Sequence, residues 1–149
     1  MSNKQYKYED SGRSMIEIIG VLAVMSLITA GAMVLVRSGA TSQKRARTFD
    51  EVMAIVENIR GLYPDGFADL PTDEAEGTKL IDGLYLNTTT PFGPDTKYSI
   101  KGVGEKDYFE LFIRGLDDDD CMVLATQTWP EVWGASCNSD GAVYLRFGM

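Results

Sequence analysis

From Ile18 to Val36 the chain runs for 19 consecutive residues without a charged side chain. As a helix rising about 1.5 Å per residue, the run reaches roughly 28 Å, close to the ~30 Å hydrocarbon thickness of a bilayer. A buried helix of a small soluble protein keeps a polar stripe, and this run has none. It therefore reads as one membrane span. In a chain of 149 residues, that leaves room for one further domain.

Beyond the span the composition turns acidic. From Leu62 onward, six Lys and Arg stand against sixteen Asp and Glu, a formal charge of −10. Such a balance favours solubility and argues against a nucleic-acid surface there. The chain has no histidine, which excludes His-based acid–base catalysis and His metal ligands. No nucleophile–base pairing and no phosphate loop stands out, so an enzyme is not expected and no cofactor is implied.

Two cysteines remain, Cys121 and Cys137. In an exported protein an even pair reads as a disulfide, and closing a loop of this size is worth roughly 3 kcal/mol in the chain-entropy model. A pair of free, buried thiols is the alternative.

Ahead of the span, Met1 to Gly12 is polar, with Lys4 and Lys7 offset by Glu9 and Asp10. A stretch with nothing to bury is expected to be disordered. Then comes Gly12-Arg13-Ser14-Met15-Ile16-Glu17-Ile18-Ile19-Gly20-Val21-Leu22-Ala23-Val24. This run resembles the processing site and helix start of type IV prepilins and pseudopilins. The resemblance implies cleavage after Gly12, Arg13 as the first mature residue, and Glu17 as the glutamate at mature position five. The family usually places Phe or Met first; here it is Arg13.

A charge at membrane depth is costly and normally has a partner. Three and four residues on from Glu17 stand Gly20 and Val21, so its own helix offers no cation there. The resemblance implies that the partner is the free α-amino group of a neighbouring subunit, carried by its Arg13. A glutamate that only marks the water interface is the plainer alternative. A second processing route also exists, because Ala30-Gly31-Ala32 has the pattern of an ordinary signal-peptidase site. Against it, the apolar run continues to Val36 and Glu17 would lie inside the signal core.

Charge leaves the orientation open. Lys4, Lys7 and Arg13 precede the span, whereas Arg37, Lys44, Arg45 and Arg47 follow it, and the positive-inside rule leans toward a cytoplasmic C-terminal part. Pilin-type processing and the cysteine pair place that part outside. The basic run Lys44 to Arg47 is read as a solvated juxtamembrane stretch, with lipid headgroups, acidic faces of neighbouring subunits and DNA as other contacts.

No proline occurs between Arg13 and Tyr63, and Phe49, Val52, Val56, Ile59 and Tyr63 recur at helical spacing. One long helix is expected, ended by Gly61 and Pro64. Residues 65–83 read as a connecting loop. Leu84 to Leu86, Tyr98 to Lys101, Tyr108 to Arg114 and Val143 to Phe147 read as strands.

Asp117, Asp118, Asp119 and Asp120 open a short helix that Pro130 closes, since Asp caps orphan amides and suits the helix dipole. Cys121, Leu124, Ala125 and Thr128 would share its buried face. Four carboxylates also invite calcium. However, a consecutive run cannot point all of them inward, and no Asp-x-Asp-x-Asp-Gly pattern is present. The order of strand, short helix opened by Cys121, loop, Cys137 and terminal strand resembles the C-terminal region of type IVb pilins. That resemblance implies a surface loop from Met122 to Ser136 bounded by the disulfide. Trp129 and Trp133 fall in it, as an adhesive or inter-subunit surface or, more commonly for a Trp pair in a small domain, as core.

The expected fold is α+β and pilin-like: a long N-terminal helix packed on a small antiparallel sheet, with a disulfide-bounded C-terminal region. The expected layout is a leader over 1–12, a transmembrane and filament-core half-helix over 13–37, an amphipathic half over 38–63, and a globular domain over 64–149. The implied function is that of a structural subunit of a type IV, type IVb-like, pilus. Its partners would be other pilin subunits, a prepilin peptidase, and an inner-membrane assembly platform with its ATPase. The precursor would cross the inner membrane once, with a periplasmic C-terminal domain, before reaching the extracellular pilus. A pseudopilin of a type II secretion system and a membrane-tethered binding module that never polymerises are the alternatives.

Overall fold

A computed structural model describes the backbone of residues 6–149 and the side chains of residues 14–149. The chain divides into two units, Met1–Ser42 and Gln43–Met149. Its elements, in order, are α1 (Tyr6–Leu62), α2 (Glu74–Gly83), β1 (Lys97–Gly102), β2 (Tyr108–Arg114), α3 (Asp118–Thr126), β3 (Val132–Cys137) and β4 (Val143–Gly148).

Helix α1 begins at Tyr6, inside the stretch expected to be disordered. Extending an existing helix costs far less than nucleating one, and no proline interrupts residues 6–62. In the first unit α1 is the only element described. In the second, its last turns bury Val52, Ile55, Val56 and Ile59, spaced to fall on one face. Phe49 and Tyr63 pack at the margin of that core. The helix stops at Leu62, just ahead of Pro64 as expected.

The sheet is antiparallel throughout, in the order β1-β2-β4-β3. Tyr98 and Ile100, then Phe109, Leu111 and Ile113, then Val143, Leu145 and Phe147 bury one face of it. They form one cluster with the α1 stripe, Ile81 of α2, and Cys121 and Leu124 of α3. Arg60, near the end of α1, donates to the Gly148 carbonyl at 2.6 Å and pairs with Glu131. Glu51 accepts from the Tyr98 hydroxyl at 2.7 Å and from Asn87 at 3.1 Å. Buried beside that carboxylate, the Tyr98 hydroxyl has its pKa pushed up, first by burial and then by Glu51. A disulfide joins Cys121 to Cys137, with Cα atoms 5.6 Å apart, and so ties α3 to β3.

Four expectations are corrected. Residues 65–83 are not all loop, since they contain α2. Leu84 to Leu86 is not a strand: Leu84 caps α2, Tyr85 takes a left-handed φ of 57°, and the Leu86 amide closes back on the Ile81 carbonyl at 3.3 Å. The inter-cysteine segment is not simply a surface loop, because it folds as most of α3 and then β3. Thr128, expected on the buried face of α3, lies beyond the end of that helix at Thr126 and is exposed.

Candidate functional site

In the first unit the span presents its apolar side chains outward around its whole circumference. Leu27 and Leu35 are 75% and 74% exposed, and Ile16 through Val36 are uncovered in the same way. The hydroxyls of this stretch turn back on their own helix: Ser26 donates to the Leu22 carbonyl at 2.7 Å and Thr29 to that of Met25 at 2.8 Å. They therefore need no outside partner. A Cβ added at Gly20, Gly31 or Gly39 would meet nothing within 4 Å, so no neighbour within the chain requires those glycines.

Glu17 stands at the start of this surface, exposed, in a shallow concavity lined by Ser14, Ile18, Val21 and Leu22. Among the described residues the ion pairs are Arg60–Glu131, Arg114–Glu74 and Arg146–Glu110, and Glu17 is in none of them. The side chains of the expected processing site, Gly12 and Arg13, lie outside those described.

In the second unit the acidic turn does local work. Asp117 Oδ1 accepts from the Asp120 amide at 2.8 Å and caps α3. Burial, followed by the nearby Asp117 charge, raises the Asp120 pKa. Asp118 and Asp119 are exposed. Among the described residues no three carboxylate or thiolate groups gather as they would to hold an ion.

The two tryptophans part company. Trp129 is buried, stacks on Phe49 at 5.6 Å, and donates from Nε1 to the Leu124 carbonyl at 2.9 Å. Trp133 on β3 stays 60% exposed, with its ring 5.7 Å from that of Tyr108.

Sequence reasoning missed the outer face of the sheet. There Arg146 lies 4.9 Å over the Tyr108 ring and donates to Glu110 at 2.9 Å. Arg114 lies 5.2 Å over Phe112 and is held by Glu74 from α2. Only the strand register could have shown this, because the residues come from two strands and a helix.

Two proteins are similar to this chain over most of its length. Each is the major structural subunit of a bundle-forming pilus, one from Escherichia coli O127:H6 (strain E2348/69 / EPEC) and one from Escherichia coli O111:H-. Both are 30% identical over 131 residues, 83% of this chain. The chain is similar to type IV pilins. The match spans 66% of each relative, just under two thirds of their length. No family model matches it, and no solved structure matches it significantly. For a pilin, the long N-terminal helix, the small antiparallel sheet and the C-terminal disulfide are the expected parts, and all three are present.

Proposed function

We propose that this chain is a structural subunit of a type IVb-like pilus, like the relatives whose names describe that role. As a precursor it crosses the inner membrane once, and the residues after the span lie in the periplasm. A prepilin peptidase removes residues 1–12, so that Arg13 opens the mature chain. An assembly platform with its ATPase then moves the subunit into the extracellular filament, where residues 13–37 form the filament core and 64–149 the outer domain.

One observation carries this reading: an apolar helix uncovered on every side, with one carboxylate, Glu17, that has no ion-pair partner among the described residues. Apolar burial stabilises by about 25 cal/mol per Å² only when the surface leaves water. A helix moving from lipid to a filament core gains little of that. Packing of the helices, and a cation for Glu17 supplied by the Arg13 α-amino group of a neighbour, set the axial register instead.

The test is the intact mass of the protein in mechanically sheared surface material from its host. A mass that begins at Arg13 and lacks two hydrogens for the disulfide supports the reading. An Arg13-started form that stays with the cells points to a pseudopilin. A chain that begins at Met33 overturns it.

A further inference from the structure

The outer face of the sheet carries a charge opposite to that of the rest of its domain. Strand pairing sets Lys97 beside Arg114, Lys101 beside Glu110, and Glu110 beside Arg146. Residues paired directly across a sheet project to the same side. Tyr108, Phe112 and Tyr144 share that side, alternating with the charges. With Glu74 reaching onto it, the face gathers four of the six basic residues found from Leu62 onward but only two of the sixteen acidic ones. It is net +2, and the rest of that stretch is net −12.

Solubility does not call for such sorting, because a surface built only for solubility mixes both signs. The face is also preorganised. Arg114 and Arg146 each combine an ion pair with an aromatic platform, so less side-chain freedom is lost when a partner arrives. Their side chains remain 39% and 49% exposed, and Lys97 is exposed beside them.

We infer that this face receives the acidic turn Asp117 to Asp119 of a second copy. The turn belongs to the longest run of consecutive carboxylates in the chain, Asp117 to Asp120, and its first three are exposed. Its shape is fixed by the Asp117 cap and by the disulfide at Cys121 just beyond it. The acidic residues of 65–76, by contrast, are spread over a longer segment. A contact between two different patches is heterologous, and it propagates into an open helical array when its rotation does not close a ring. Charge complementarity there selects the partner and its register more than it adds affinity. The inference rests on the pilin reading and names the contact by which neighbouring domains recognise one another.

A charge swap tests it in an assembling host. The variants are Lys97→Glu with Lys101→Glu, Asp118→Lys with Asp119→Lys, and all four together. The readout is pilin in the sheared fraction relative to total cellular pilin, with disulfide formation on non-reducing gels as the check on folding. Each double reversal is expected to cut sheared pilin at least tenfold, and the fourfold swap to restore it to within threefold of the wild type. If a reversed face fails to form its disulfide, Lys97→Gln with Lys101→Gln replaces it, with at least a threefold loss expected. Either double variant assembling at the wild-type level overturns the inference, as does a swap no better than its parents. Loss of DNA retention by a reversed face that still assembles would reassign that face to an anionic polymer. A wild-type chain that forms no filament fails the pilin reading itself, a result distinct from all of these.

Discussion

Arg114 donates two hydrogen bonds of 2.6 Å each to the carboxylate of Glu74, and so fastens the end of β2 to the first turn of α2. That hydrogen bonding lowers the Glu74 pKa despite the opposing effect of burial. A depressed folded-state pKa contributes stability above the unfolded value and loses it as the pH falls through the folded one. Glu74→Gln is therefore expected to cost about 1 kcal/mol near neutral pH. The deficit should shrink as the pH is taken down through the carboxylate range. Urea unfolding of both proteins at several pH values checks this, and a deficit that does not change with pH would remove the ion pair as its cause.

Gly77 is the point where α2 meets β1. A Cβ there would lie 1.8 Å from the Ile100 carbonyl oxygen, a backbone atom that cannot swing aside. Gly77→Ala is expected to lose about 3 kcal/mol by overpacking, even though alanine is the better helix former. A midpoint equal to that of the wild type in thermal unfolding would show that α2 sits farther from the sheet.

Tyr85 occupies the position after a helix cap where glycine is favoured, at φ 57° and with 98% of its surface exposed. Left-handed backbone costs a non-glycine residue about 1 kcal/mol or slightly more. Tyr85→Gly should raise stability by up to ~1 kcal/mol, the gain being reduced by the greater freedom of glycine in the unfolded chain. Tyr85→Ala should give no such gain. Equal effects of the two substitutions would place the cause in the side chain instead of the backbone.

The disulfide spans a sequence separation of 16 residues. Replacing Cys121 and Cys137 by serine is expected to cost roughly 3 kcal/mol. Proteolytic nicking should then start within β3, which has partners on one side only. Limited digestion followed by mass mapping would locate the first cut; a first cut in the 65–73 loop would contradict this.

Elements with their own periodicity could be read from the sequence. The span, the Val52–Val56–Ile59 stripe and the alternation of Phe109, Leu111 and Ile113 each bury or expose one consistent surface. By contrast, α2 contains Gly77 and Gly83, which read as loop residues. It forms because that glycine lets it pack on β1, a tertiary cause with no local signature. Strand β3 shows no alternation because four of its six residues are exposed. Glu17 was legible as a lone carboxylate opening an apolar run. The basic sheet face was not, since Lys97, Arg114 and Arg146 become neighbours only once the register is known.

The Cys121–Cys137 bond has a mechanical consequence. β3 is zipped to β4 along one side, and its other side is open. A pull that began to peel it away would reach the covalent link at its last residue and pass the load into α3, whose Cys121 and Leu124 are locked in the core. The edge that displays Trp133 thus has a tether behind it, and it can be tugged without unravelling the domain it belongs to.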